Sequence, residues 1–367
     1  KKEFKVLENY AKSVDNIDSL EKWDVTFYSE MYKKFKYNID QEELKPYFSL
    51  NNVLNGAFII SNKLYGLKFK KVSNIDTYSE EVNTYEVRDE KNSFVALLYT
   101  DFHPREGKRG GAWMTAYKSQ YIYKNNNERP HISIVCNFTR PIKNKPSLLT
   151  FNEVTTLFHE FGHALHGILA NTRFKSLSGT NVSWDFVELP SQIFENWCYE
   201  KEALNLFAFH YKTKGLIPVE LIQKIKNSAN FNQASQTLRQ LSFAILDMNW
   251  HNCNPIKVKS VKDYETKILE RLTFTKDLDQ TCMSTSFSHI FQGGYSAGYY
   301  SYKWAEVLDA DAFEYFKEKG IFNKTIASKF KNNILSKGGT EDPMDLYIKF
   351  RGRKPTINAL LKRSSIS

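Results

Sequence analysis

The residues Phe158-His159-Glu160-Phe161-Gly162-His163 set two histidines four positions apart, with a glutamate directly after the first. On a helix, at about 100° per residue, both imidazoles leave one face and can share a metal ion. The neighbouring Glu160 carboxylate can then take a proton from water that the metal activates. The chemistry favoured by these residue types is hydrolysis with one bound zinc ion. Because the five-residue pattern also occurs by chance, its surroundings decide. Thr150 and Glu153 form a T-x-x-E capping box, flanked by Leu149 and Val154 as a hydrophobic staple. Val154, Leu157, Phe158, Phe161, Leu165 and Ile168 repeat at the three-and-four spacing of a buried helix face. The alternative is an ordinary buried helix that happens to carry histidines, and the helical placement that this motif requires favours the metal reading.

Two histidines leave a zinc ion short of a ligand. In the H-E-x-x-H-x-x-G-x-x-H pattern a third histidine would stand at 169, which is Leu169, and the glycine place is His166. That class is excluded. His166 lies about 20° from His159 on the helical wheel, yet three histidines in a row along one helix wrap a tetrahedral ion poorly. A supporting or packing role suits it better.

A second helix offers carboxylates. In the run from Trp184 to Trp197, Asp185 reads as an N-cap and Pro190 belongs to the first turn. Phe186, Leu189, Ile193 and Trp197 make an inward stripe, and Glu188 and Glu195 share a face beside it. By spacing alone, Glu188 serves equally well as a zinc ligand or as a charge complementing the helix start.

The motif His159 to His166, followed by Gly179-Thr180 and by Asp185-Phe186-Val187-Glu188 with Pro190-Ser191-Gln192, resembles the thimet oligopeptidase family of zinc peptidases. The resemblance implies His159, His163 and Glu188 as zinc ligands and Glu160 as general base. His289-Ile290-Phe291-Gln292-Gly293-Gly294-Tyr295-Ser296-Ala297-Gly298-Tyr299-Tyr300-Ser301-Tyr302 looks like the family's glycine- and tyrosine-rich loop, which implies catalytic or substrate-holding roles for His289, Tyr295 and Tyr302. Lys108 to Trp113 and Phe350 to Pro355 also look familial, so the likeness runs from about Trp23 to the C-terminus. The six-residue step from His289 to Tyr295 resembles the dipeptidyl carboxypeptidase branch, as do Leu44 to Phe48 and Asn62 to Gly66. One departure is Trp184, which stands where many relatives carry arginine, so a cationic contact near the zinc ligand is expected to be absent.

The elements that must position these residues are mostly helical. Helical patterns cover 27–36, 42–66, 150–171, 185–212, 218–251, 261–272, 298–319 and 323–337. Strand patterns cover 68–72, 82–89, 93–100 and 131–138, with a hairpin turn at 89–92 and a polar loop at 123–129. The run 132–138 is expected at a sheet edge, where extended substrate backbone can pair with it. The expected fold is therefore mainly α with a small β-sheet. By resemblance it is the zincin-like (gluzincin) catalytic half of a deep-cleft helical metallopeptidase. A helical segment plus sheet would occupy 1–149, and the zinc helices and tyrosine loop 150–367. The N-terminal helical half that relatives carry is not in this sequence, and it is an expected partner.

Composition restricts the alternatives. At 41% hydrophobic the chain can bury a large core, and no apolar stretch approaches a membrane span. The start has no apolar signal core. Cys136, Cys198, Cys253 and Cys282 lack C-x-x-C spacing, which argues against a cysteine zinc site and makes a reducing cytoplasm the expectation. The net charge of +10 is spread over lysines without a nucleic-acid-binding motif; it reads as a solvated surface that would steer anionic peptide C-termini.

Short peptides are thus the expected substrates, with no nucleic acid or membrane as partner. The first reading is release of C-terminal dipeptides. The second is an oligopeptide endopeptidase on the same scaffold. The third, a non-catalytic peptide-binding fragment, is disfavoured because Glu160 and both histidines are intact.

Overall fold

A computed structural model describes residues 1–275, 278 and 280–365. The first helices are α1 (Lys2–Asp15), α2 (Val25–Tyr37), α3 (Gln41–Leu44) and α4 (Leu50–Tyr65). Seven strands follow: β1 (Lys68–Val72), β2 (Asn83–Arg88), β3 (Phe94–Asp101), β4 (Trp113–Lys118), β5 (Tyr121–Tyr123), β6 (Asn126–Glu128) and β7 (His131–Val135). Next come α5 (Phe151–Ile168), α6 (Trp184–Val187), α7 (Leu189–Glu195), α8 (Lys201–Leu204), α9 (Val219–Ser228) and α10 (Gln233–His251). The remaining helices are α11 (Val261–Leu269), α12 (Ser288–Phe291), α13 (Ser301–Lys319), α14 (Lys324–Phe330), α15 (Pro343–Arg351) and α16 (Asn358–Arg363). The fold is mainly helical with a small sheet, and no helix among the described residues is long and apolar enough to cross a membrane.

Two compact units emerge: Lys1–Asp40 with Gln223–Trp304, and Gln41–Ile222 with Ala305–Ser367. The expected division at 149/150 falls inside the second unit, where the sheet and α5 pack together.

In the second unit the sheet runs β1-β2-β3-β7-β4, antiparallel except for the β3–β7 pair. The expectation that 132–138 forms an edge strand is corrected, since β7 lies between β3 and β4 and the edge strands are β1 and β4. Ile132 to Cys136 are all buried, the continuous burial of a strand covered on both faces. The loop at 123–129 is instead a β5–β6 hairpin, with positive φ at Lys124 (47°) and Asn125 (66°) matching the strand twist. Lys108, 3% exposed at its side chain, donates to the Asp101 carboxylate and to the carbonyls of Asp101, His103 and Cys136. It thereby fastens the ends of β3 and β7 ahead of β4.

Helix α5 lies on β7 and β4, starting from the expected capping box: Thr150 Oγ1 accepts the Glu153 N–H and Glu153 accepts the Thr150 N–H. Its far end is capped by Arg129, whose guanidinium donates to the Ile168 and Ala170 carbonyls at 2.8 and 3.2 Å and to Val95 O at 2.7 Å. Burial pulls the Arg129 pKa down to about 10, yet a cation at a helix C-terminus still complements the dipole.

The expected helix at 185–212 is broken into α6, α7, a 3-10 turn at Asn196–Tyr199 and α8. Pro190, which cannot donate an N–H, sits in the first turn of α7. The cap of α6 is Ser183 instead of Asp185, and Glu188 occupies the joint between α6 and α7. The 218–251 pattern likewise divides into α9 and α10 at Asn232, where φ is 53°.

In the first unit α1 and α2 close over Leu7, Ala11, Leu20 and Tyr28. Glu3 of α1 accepts the Ala234 and Ser235 N–H groups at the start of α10, capping that helix from outside.

Candidate metal centre

Helices α5 and α7 meet through glycine. A Cβ on Gly162 would fall 2.6 Å from Ser191 Cα and 2.9 Å from the Pro190 carbonyl carbon. Phe158 and Phe161 stack on Phe194 at 5.3 and 5.8 Å, completing the seam. This close approach carries Glu188 to the histidine face of α5.

The Nε2 atoms of His159 and His163 each lie 3.2 Å from Glu188 Oε2. One ligand atom from each of the three residues lies within 4.8 Å of the others, so His159, His163 and Glu188 form a set able to hold a cation. Two imidazoles and a carboxylate fit zinc, and three protein ligands leave a coordination position for a reactant. Glu188 is 2% exposed, and Ser191 Oγ donates to its Oε2 at 2.9 Å. On its other side His159 Nδ1 donates to Glu195 Oε1 at 2.6 Å, which fixes the tautomer that turns Nε2 toward Glu188.

Burial opposes charge on both His159 and Glu188. Hydrogen bonds to Glu188 and Glu195 nevertheless hold the His159 pKa well above the usual histidine range. The imidazoles of His163 and His159 hold Glu188 well below the usual carboxylate range. A group of this kind stabilises positive charge at its centre, as a cation site must.

Glu160 is 6% exposed, and its Oε2 has no hydrogen-bond partner among the described residues. Burial raises its pKa above the ordinary glutamate value. A buried carboxylate oxygen without a partner is costly, and a catalytic role toward a group that enters the site is one explanation for its retention. His166 is no part of the cluster. It is fully buried, both ring nitrogens lack partners among the described residues, and burial pushes its pKa down to about 3, so it packs as a neutral ring.

His289, Tyr295 and Tyr302 belong to the first unit, where they are gathered into one aromatic array. Tyr295 stacks on Tyr302 at 5.0 Å, Tyr299 lies 5.0 Å from Tyr302, and His289 lies 6.2 Å from both Tyr295 and Tyr299. Gly293 is required in the turn, because a Cβ there would meet His289 Cα at 2.7 Å. The sequence reading gave no role to Glu195 or Ser191. Glu195 could have been found from its shared face with Glu188, two turns along.

In the remaining familial segment, Phe350 to Pro355, two arginines meet a buried carboxylate of α13. Asp311 of α13 accepts hydrogen bonds from Tyr347 Oη (2.7 Å) and Arg353 (2.6 Å), and Arg351 Nε lies 3.4 Å from it.

The sequence pattern of peptidase family M3 matches residues 1–366. Oligopeptidase A of Escherichia coli K12 is 43% identical over 374 residues, aligned with 100% of this chain and 54% of its own length. Dipeptidyl carboxypeptidase of the same organism is 39% identical over 356 residues, covering 95% of this chain and 51% of its own. A thimet-like oligopeptidase of Dictyostelium discoideum is 34% identical over 345 residues, covering 93% and 51%. The chain thus spans about half the length of the curated relatives it matches. Among solved structures, an M32 carboxypeptidase from Deinococcus radiodurans R1 superposes with a TM-score of 0.51 at 14% identity, covering 97% of this chain and 68% of that one, a likeness of fold.

Proposed function

The chain belongs to peptidase family M3, and from that premise we propose that it carries the zinc-dependent catalytic site of a peptidase acting on short peptides. In this reading it is the zincin-like catalytic half of a longer protein. One observation carries the proposal: the two imidazoles converge on Glu188 beside the buried, partnerless Glu160 oxygen.

His159, His163 and Glu188 would hold the ion. Zinc bound there supplies a Lewis acid that lowers the pKa of water to about 7 and polarises a carbonyl. Glu160 accepts the proton of the attacking water on its carboxylate and returns it to the leaving amine. Glu195 orients His159 through Nδ1. The edge strand β4, packed against α5, takes the role of pairing with extended substrate backbone.

On the family resemblance, His289, Tyr295 and Tyr302 donate to the reacting carbonyl or hold the substrate. A well-aimed donor of that kind contributes about 2.7–4 kcal/mol. The six-residue step from His289 to Tyr295 favours release of C-terminal dipeptides. A second reading, an oligopeptidase cleaving within the peptide, is favoured by the higher identity to oligopeptidase A, 43% against 39%. Mass spectrometry of products from one peptide with a free C-terminus and its amidated twin separates them. Sequential loss of dipeptides from the free peptide alone supports the first. Identical internal cleavage of both supports the second. A zinc-loaded protein that cleaves neither overturns the proposal.

A further inference from the structure

The tyrosine-rich loop and the segment that enters it are tied to two neighbouring helices by buried carboxylates. Asp247 of α10 is fully buried. Its Oδ1 accepts the Ala297 N–H and its Oδ2 the Tyr299 N–H, each at 2.9 Å. His251, one turn further along α10, places Nδ1 2.8 Å from the same Oδ1. Glu265 of α11, 2% exposed, holds the entry to the loop in the same manner, accepting the N–H groups of Met283 and Ser284 at 2.9 and 2.6 Å.

The Asp247 contact falls where the backbone most needs it. Ala297 has φ of 53°, in the left-handed region that disfavours residues with a Cβ. The chain reverses there, between Tyr295 and Tyr299, and Gly298 N–H closes the turn onto Tyr295 O at 2.9 Å. Two N–H groups flanking that reversal point at one carboxylate. The side chains of Tyr295, Tyr299 and Tyr302 radiate from this stretch and pack on one another at 5.0–6.4 Å. A rotation of the peptide at 297 or 299 would therefore re-aim Tyr299 and, through ring packing, disturb Tyr295 and Tyr302, the latter in the first turn of α13.

We propose that Asp247 is a positioning residue for peptide hydrolysis, fixing the backbone of the loop so that its tyrosines present their hydroxyls in the productive direction. The inference rests on the reading of that loop as substrate-facing. It adds a residue on α10 that meets the loop through main-chain N–H groups and acts through the rings they carry.

The test is a double-mutant cycle in the zinc-loaded protein, combining Asp247→Asn with Tyr302→Phe and reading kcat and KM per zinc-loaded molecule. Asp247→Asn keeps the shape but turns one acceptor into a donor facing an N–H. It is expected to lower kcat about 10- to 100-fold, the scale of an ångström misplacement of reacting groups, with zinc content unchanged. In the Tyr302→Phe background the same change should cost markedly less, because the group it aims is already gone. Asp247→Glu, which keeps both acceptor oxygens, should retain more kcat than Asp247→Asn, and it carries the cycle should the asparagine variant not fold. If Tyr302→Phe lowers kcat while the Asp247 variants leave it unchanged, or if the two effects simply multiply, Asp247 does not position the loop although the loop reading stands. If Tyr302→Phe itself leaves kcat unchanged, the loop reading fails and the role of Asp247 falls with it.

Discussion

Glu195 Oε1 lies 2.6 Å from His159 Nδ1, while His159 Nε2 lies 3.2 Å from Glu188 Oε2, so one imidazole is held between carboxylates from the two ends of α7. The outer carboxylate fixes the tautomer and leaves the inner nitrogen for a cation. Removing such a partner costs about 10- to 100-fold in metal affinity. Glu195→Gln is therefore expected to weaken zinc by that factor in a chelator competition titration while leaving the helices folded. Unchanged affinity would show that Glu195 is only a surface neighbour.

Gly162 tests the seam. A helical alanine is favoured over glycine by about 1 kcal/mol, whereas forcing a methyl against backbone costs about 1–3 kcal/mol. The added Cβ would stand 2.6 Å from Ser191 Cα, so the second effect dominates. Gly162→Ala should lower the melting temperature and loosen zinc together, because Ser191 and Glu188 move with α7. A raised melting temperature would mean that the helices part without disturbing the site.

Much of this was legible beforehand, for identifiable reasons. The capping box and the apolar repeat around His159 are local signals, and α5 begins and ends close to where they place it. Strand 68–72 also agrees residue for residue with β1. Misses arose where distant pairing decides. β4 becomes a strand by pairing with β7, and β7 is interior because β3 lies beside it in parallel, a topology no local alternation encodes. The stripe of α1, with Leu7 and Ala11 inward, is short and gains its partner in α2. Asn232 and Pro190 broke helices whose apolar periodicity runs on through them.

The ion cluster at Asp101 predicts a pH dependence. Burial raises this carboxyl's pKa, but hydrogen bonds from Arg105 and Lys108 outweigh it and hold the group below its ordinary value. A depressed folded pKa contributes stability above the unfolded value of about 3.9, and that contribution is lost as pH falls through the folded pKa. Lys108→Met should cost about 1.5–3 kcal/mol at pH 7, the scale of a hydrogen bond to a charged group, because Arg105 and Tyr78 still bond the Asp101 carboxylate. In urea titrations the gap from the parent protein should narrow as pH drops below about 4. A gap independent of pH would assign the loss to packing and to the carbonyl contacts of Lys108.

Tyr302 separates chemistry from packing. If its phenol donates to the developing oxyanion, Tyr302→Phe should lower kcat about 10²- to 10³-fold with little change in melting temperature. A purely structural tyrosine, stacked on Tyr295 at 5.0 Å, would give normal turnover per folded molecule and a lower melting temperature.

Zinc content measured alongside peptide turnover, across three substitutions, tests the central claim most directly. With His159, His163 and Glu188 as the ligands, Glu188→Ala should lose most of its metal and its activity. Glu160→Gln should keep one zinc per chain and lose hydrolysis, because only the proton carrier is gone. Asp185→Ala, outside the ligand set, should retain both. Full zinc in Glu188→Ala together with loss of zinc in Asp185→Ala would contradict the account.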